Sequence, residues 1–326
     1  MKTSLALILT AALFALVDRS ASAQDQPKVV RIGLLLAGGT ARANLRGNST
    51  AFLLGLQELG YVEGKNLIIE RRNAKGNPAL LPELAAELAR LNVAVIVAAG
   101  PTAVDSAMKA TKTIPIVMPN GGDPIARGFV KNLIRPGGNV TGISTRLEGM
   151  QKKQIELLKE TIPEAKHLVM LVPRVRSRTI AEDYMEKAAV AGIDVQSVDF
   201  FKPDDFDGAL AKIITLHPDA LLTVQNTLTL RYARQLAAFA SKHRLPLITN
   251  DRRFTEAGAL ISLGVNYMVN FRRAAVIVDK ILKGANPATL PVEPPHLEMV
   301  VNLKTAEKLG IKIPPQILLE ANEVIR

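Results

Sequence analysis

Short apolar runs alternate with stretches of helical period along almost the whole chain, and this alternation limits the fold more than any other feature. The runs at 29–36 and 93–99 lack polar alternation, as strands covered on both faces do. Between them, 46–60 places Phe52, Leu56 and Leu59 on one helical face and stops at Gly60. The segment 66–71 reads as a strand. A helix at 78–91 carries Leu80, Leu81, Leu84, Leu88 and Leu91 on one stripe. Another helix at 103–110 and a strand at 115–119 complete the first set. After Gly137-Gly138 the alternation restarts, with helices at 149–161, 179–191, 205–216 and 228–243. The strands of this second set fall at 168–172, 194–200, 220–225 and 246–249. Two successive β/α sets predict an α/β protein of two doubly wound parallel-sheet lobes. The length of 326 residues agrees, because single cores stop growing near ~250–300 residues.

The stretch 139–145 predicts the first crossing between lobes. A second crossing at 264–266 leads into a helix at 267–283. Pro291, Pro294 and Pro295, ahead of a strand at 297–302 and a helix at 304–309, suggest a third. The expected lobes are 24–143 with 267–290, and 144–266 with 291–326, joined by a hinge.

Residues 1–23 read as a cleavable secretory signal. Lys2 precedes an apolar run from Leu5 to Val17 broken only by Thr10, and Ala21-Ser22-Ala23 forms a small-residue cleavage site before Gln24. As a helix this run spans ~20 Å, short of the ~30 Å hydrocarbon core. The chain has no Cys, which excludes a lipid anchor on that residue, disulfides, thiolate metal sites and a cysteine nucleophile. A periplasmic monomer is expected. Export also removes nucleic acid as the partner of the +11 formal charge.

In open α/β sheets ligands bind beyond the carboxyl ends of the strands, so two facing sheets line a cleft with the loops after their strands. Gly38-Gly39-Thr40 and Gly100-Pro101-Thr102 lie between a strand and a helix, where small residues let backbone N–H groups and a helix N-terminus meet an anionic group. They equally suit tight βα turns, and neither G-x-G-x-x-G nor G-K-[ST] is present. Asp123, in Gly121-Gly122-Asp123-Pro124, suits a ligand ammonium or a turn that it caps itself. Asp251 is a further cation partner, with Arg252 and Arg253 beside it. Arginines gather at the strand tips: Arg42, Arg127, Arg174, Arg176, Arg178, Arg252 and Arg253. Arginine recognises planar carboxylates bidentately, so a carboxylate-bearing ligand is expected, with a solvated basic rim as the plain alternative.

Signals of catalysis are weak. His167 falls at a strand start and His217 and His243 at helix ends, away from the cleft, and His296 belongs to no recognised motif. Serines lack the G-x-S-x-G elbow. Glu182-Asp183 and Asp204-Asp205 suit a solvated helix face and a helix start. No catalytic residue, metal or cofactor is expected.

The segment Gly55-Leu56-Gln57-Glu58-Leu59-Gly60-Tyr61-Val62-Glu63-Gly64-Lys65-Asn66 resembles the ABC-transporter substrate-binding proteins of the tryptophan/tyrosine-importer type. So do Thr113-Ile114-Pro115-Ile116-Val117, Gly122-Asp123-Pro124, Arg135-Pro136-Gly137-Gly138-Asn139-Val140-Thr141-Gly142 and Val278-Asp279-Lys280-Ile281-Leu282-Lys283-Gly284. The resemblance implies a type I-like periplasmic-binding-protein fold with three crossings. It also implies hinge closure over a small solute for delivery to a permease and ATPase complex. Carried over, the binding loops are Gly38-Gly39-Thr40, Gly100-Pro101-Thr102-Ala103, Gly122-Asp123 and the loop after Val224, which adds Gln225 and Asn226. Two departures, Pro173-Arg174-Val175-Arg176-Ser177-Arg178 and Leu263, weaken an aromatic amino acid as ligand and favour a carboxylate, in an amino acid or organic acid. A sensor feeding a membrane receptor, or an enzyme on the same fold, are the other functions such lobes support.

Overall fold

The computed structural model describes residues 29–38, 47–146, 149–173 and 178–326; the expected signal segment lies outside them. The first sheet contains β1 (Val30–Leu36), β2 (Leu67–Asn73), β3 (Val95–Ala99), β4 (Ile116–Met118) and β5 (Val140–Gly142), all parallel, in the order β2-β1-β3-β4-β5. Helices α1 (Asn48–Glu58), α2 (Leu81–Arg90) and α3 (Pro101–Ala110) connect these strands. Successive strand residues point to opposite faces. Thus Ile32, Leu34 and Leu36 join a core with Phe52 and Leu56 of α1, while Leu35 packs with Leu81, Leu88 and Val104 of α2 and α3. Burial on both faces explains the unbroken apolar runs.

The second sheet is built by β6 (His167–Pro173), β7 (Asp194–Phe200), β8 (Ala220–Thr223), β9 (Leu247–Thr249) and β10 (Ile261–Val265). Its helices are α4 (Met150–Thr161), α5 (Arg178–Val190), α6 (Phe206–Thr215), α7 (Thr227–Arg231), α8 (Ala233–Lys242) and α9 (Arg252–Glu256). The chain then returns to the first lobe as α10 (Tyr267–Leu282). There Phe271, Ala274, Ala275 and Val278 pack into the same core as Phe52. It comes back as β11 (Leu297–Asn302), followed by α11 (Leu303–Leu309), α12 (Pro315–Glu320) and β12 (Glu323–Ile325), giving the order β12-β11-β10-β9-β8-β6-β7.

The second sheet is not wholly parallel. β11 runs antiparallel to β10, with Val265 opposite Leu297 and Ile261 opposite Val301. The reason is the path of the chain. It leaves β10 at the sheet's carboxyl edge, visits the first lobe as α10, and re-enters from that same edge, so β11 must run the other way. Two expected crossings also shrink. Residues 140–142 of the first are β5, hydrogen-bonded beside β4, and Gly264 of the second lies inside β10. The helix expected at 228–243 divides at Tyr232, whose ring stacks on Phe206 at 4.0 Å.

The connecting strands lie side by side. Glu293 N–H donates to the Gly142 carbonyl at 2.8 Å, Ser144 N–H to Glu293 at 3.0 Å, and Asn266 N–H to His296 at 2.9 Å. A seam of backbone bonds therefore joins the segments that connect the two sheets.

One carboxylate clamps the amino ends of β6 and β8. Asp219 accepts from the backbone N–H groups of Lys166 (2.8 Å) and His167 (2.9 Å), chiefly the Lys166 bond, and this holds its carboxyl below the ordinary value. A depressed folded value contributes stability above the unfolded value near ~3.9 and loses it as pH falls. Because Asp219 is exposed, Asp219→Ala should cost no more than about 1 kcal/mol at neutral pH. The deficit should shrink below about pH 4. Urea unfolding of both proteins at pH 7 and pH 3.5 checks this.

Candidate functional site

The carboxyl ends of the strands open onto a cavity of about 500 Å³ between the sheets. From the first lobe, the β1 end supplies Leu36, Ala37 and Gly38, and β3 and β4 supply Ala99 and Asn120. The start of α1 supplies Gly47, Asn48 and Ser49, and α10 supplies Tyr267 and Phe271, four residues apart and so on one helical face. From the second lobe come Gln225, Leu230 and Arg253. A smaller cavity shares Gly47, Asn48, Arg253 and Tyr267 and extends toward Asp251, Arg252 and Asn266.

The charge in this cleft is set at the start of α9. The Asp251 carboxylate caps that helix by accepting from Arg253 N–H at 3.0 Å. It also accepts from Arg253 Nε at 2.8 Å and Nη2 at 2.6 Å, a bidentate pair. The Asp251 side chain is 6% exposed and that of Arg253 53%, so the acid is the buried anchor and the guanidinium the part that reaches the cleft. The hydrogen bond to Asp251 outweighs burial and raises the Arg253 pKa further. Burial, helped by the Asp251 charge, also raises the Tyr267 hydroxyl, which stays protonated at neutral pH.

Arg252 occupies a different place. Its Nε meets Glu256 at 2.8 Å, Nη1 meets Glu298 at 2.9 Å and Nη2 meets Glu323 at 2.6 Å. It fastens β11 and β12 to α9 with three carboxylates. Neighbouring helical residues point about 100° apart, as 3.6 residues per turn require, and α9 thus directs one arginine to the cleft and the other to the sheet edge.

The other candidates divide similarly. Gly38 and Gln225 line the cavity, and Gln225 N–H is fixed by the Asn250 side chain at 2.6 Å. Asn226 caps α7, accepting from Thr229 N–H at 2.8 Å while its own N–H donates to Thr229 Oγ1 at 2.9 Å. Gly100 adopts φ +99°, and its carbonyl accepts from Ala103 and Val104 as Pro101 and Thr102 open α3. Gly122 N–H donates to Thr145 at 3.0 Å. Asp123 caps its own turn through Ile125 N–H (3.1 Å) and Ala126 N–H (3.0 Å) and pairs with Arg146 at 3.2 Å. Gly100 thus precedes α3, which Pro101, Thr102 and Ala103 begin, Gly122–Asp123 forms a turn, and none of them is among the residues named for the cavity wall above. Gly39, Thr40, Arg42, Arg174 and Arg176 fall outside the described residues.

Asn48, Ser49, Tyr267 and Phe271 were not among the sequence candidates. The Tyr267–Phe271 spacing carried a signal, but it reads equally as core packing. Asn120 lines the cavity, and its Oδ1 is buried with no hydrogen-bond partner among the described residues. The first turn of α1 bears no acidic residue and Gly47 gives no side-chain cap, so the helix dipole adds positive potential there.

Comparison with known proteins gives one answer. The family described as ABC transporter substrate binding protein matches residues 44–325. The tyrosine-binding protein of Clostridioides difficile strain R20291 is 25% identical over 264 residues, 80% of this chain and 76% of that one. A conserved domain protein from Vibrio cholerae superposes with a TM-score of 0.76 at 28% identity, covering 91% of this chain and all of the other. A Streptococcus pneumoniae ABC domain in complex with L-Trp superposes equally well, at 26% identity and with 91% and 100% of the two chains covered. These matches, with two parallel-dominated sheets around a shared cleft, place the chain in the ABC transporter substrate-binding protein family.

Proposed function

We propose that this protein is exported to the periplasm through the signal at 1–23, binds a small carboxylate-bearing solute between its lobes, and presents the closed form to an ABC permease and ATPase complex. The observation that carries this reading is the cavity of about 500 Å³ walled from both sheets, with Arg253 on one wall and the α1 N-terminus on the other. That volume suits an amino acid or a comparable organic acid. Lobes of 24–143 with 267–290, and 144–266 with 291–326, pivot about the neighbouring crossings, so ligand contacts from both walls drive closure. Among the described residues no helix is long and apolar enough to cross a membrane. Binding rather than turnover is the role of this cleft, and the protein works as a monomer.

X-ray scattering tests the reading. A saturating solute should reduce the radius of gyration, and thermal unfolding should shift upward with ligand concentration, by about 2.7 kcal/mol at 100 times Kd. A bound solute that leaves the radius unchanged contradicts closure, and chemical conversion of that solute contradicts a binding role.

A further inference from the structure

We propose that the loop at 125–135 is a docking surface for an anionic phospholipid bilayer, so that the exported protein rests on a membrane with its cleft free. The export reading above supplies the membrane; the surface itself is argued from the loop. The loop follows β4 and folds as two turns. Phe129 N–H and Val130 N–H both donate to the Pro124 carbonyl, at 2.8 and 3.2 Å, and Lys131 N–H donates to the Pro136 carbonyl at 3.2 Å. Asn132 Oδ1 accepts from Ile134 N–H at 2.7 Å and from Arg135 N–H at 3.2 Å. Phe129 and Val130 are buried in the core that also holds Val140 of β5, and the Leu133 carbonyl accepts from Val292 N–H at 2.7 Å. The loop is thus fixed along its length, yet Leu133 and Ile134 stand 37% and 71% exposed. One apolar pair of the loop anchors it and the other is held out in solvent.

The charge around the exposed pair has one sign. Lys131 and Arg135 flank it, are exposed, and have no ion-pair partner among the described residues. Arg127, two residues from the exposed Ile125, meets Asp105 at 3.8 Å. The loop lies against 284–292, where Gly137 N–H donates to the Ala288 carbonyl at 3.0 Å. Neither 124–142 nor 284–292, all of them described, contains an Asp or Glu. Leu319 is more exposed than Ile134 but stands beside Glu320, so exposure alone does not make such a surface. An anionic bilayer matches both halves of the patch, since headgroup phosphates attract the cations and the interface takes in aliphatic side chains. An acidic protein face matches only the charge, and a second copy of this chain brings like charges together. None of these loop residues is among those named for the cleft wall, so docking leaves the cleft open.

The test is co-sedimentation of the purified mature protein with lipid vesicles. Vesicles containing phosphatidylglycerol should pellet it, pure phosphatidylcholine vesicles should not, and added salt should release it. Leu133→Ser with Ile134→Ser should weaken binding roughly tenfold or more, and so should Lys131→Glu with Arg135→Glu. All four positions are exposed, and both variants should keep the parent melting temperature. Leu319→Ser is the control for the apolar pair. Lys212→Glu with Lys242→Glu, exposed on α6 and α8 of the second lobe, removes the same charge elsewhere and should bind nearly as well as the parent. No pelleting with anionic vesicles, equal pelleting with neutral ones, or equal loss in the loop and control variants each overturn the proposal. Pelleting only with vesicles that carry membrane protein assigns the patch to a protein partner and overturns it as well. Solute binding and closure do not enter this measurement. A protein recovered from the periplasm that ignores anionic vesicles overturns docking and leaves the export and delivery reading standing.

Discussion

Gly264→Ala is expected to lower the unfolding free energy by about 3 kcal/mol, at the upper end of overpacking changes, and to weaken solute binding in the same molecule. A Cβ at Gly264 stands 1.9 Å from the Asn250 carbonyl oxygen, a distance no pair of non-bonded atoms holds. Only backbone movement relieves it, since both positions belong to adjoining strand ends. Asn250 is also the residue whose side chain fixes Gln225 N–H at 2.6 Å, so the displacement reaches the cavity wall. Gly142 is its counterpart in the first lobe: φ is +135° and a Cβ lies 2.2 Å from the Met118 carbonyl. Each glycine sits where the chain leaves a sheet for the other lobe, and Gly142→Ala should be as costly. Denaturant unfolding with and without solute reads both effects. A loss below 1 kcal/mol in either variant means the strand ends yield far more easily than the packing implies.

Phe52→Ala should cost about 3–5 kcal/mol, the range for a fully buried aromatic. Its ring is 0% exposed and sits in the core shared by Ile32 and Leu34 of β1 and by Phe271, Ala274 and Val278 of α10. α10 is a long helix donated to this lobe from the far end of the chain, and its first turns carry Tyr267 and Phe271 into the cleft. The hole therefore loosens the wall of the binding site as well as the core. At ~2–4 °C per kcal/mol, the melting temperature should fall by roughly 6–20 °C. Leu319→Ala, at an 81% exposed position, is the matched control and should change it little. Equal melting of the two variants would contradict the placement of Phe52.

Much of this architecture is legible from residue order. Strand 194–200 and strand 297–302 coincide with β7 and β11, because an apolar pattern bounded by turn residues specifies a strand locally. The elements missed, α9, α12, β10 and β12, are brief or interrupted. β12 spans only Glu323–Ile325 and is defined by its pairing with β11. β10 contains Gly264, which reads as a break until the sheet is seen to require close approach of the Asn250 backbone.

The candidate site was legible by loop, not by residue. The sequence indicates that loops after the strands face a cleft, and Gly38 and Gln225 are found on its wall. It cannot decide between Arg252 and Arg253. That choice depends on where α9 begins, which in turn depends on Asp251 capping it from a buried position. What the sequence by itself determined is local: helices and strands from hydrophobic period, two lobes from length and repetition, and a ligand-binding family from ordered motifs. What the tertiary structure alone decided is non-local: the reversal of β11, the return of α10 to the first lobe, and which arginine lines the cleft. Each of these depends on partners tens to hundreds of residues away, such as Glu298 and Glu323 on Arg252, and no local pattern encodes such a meeting.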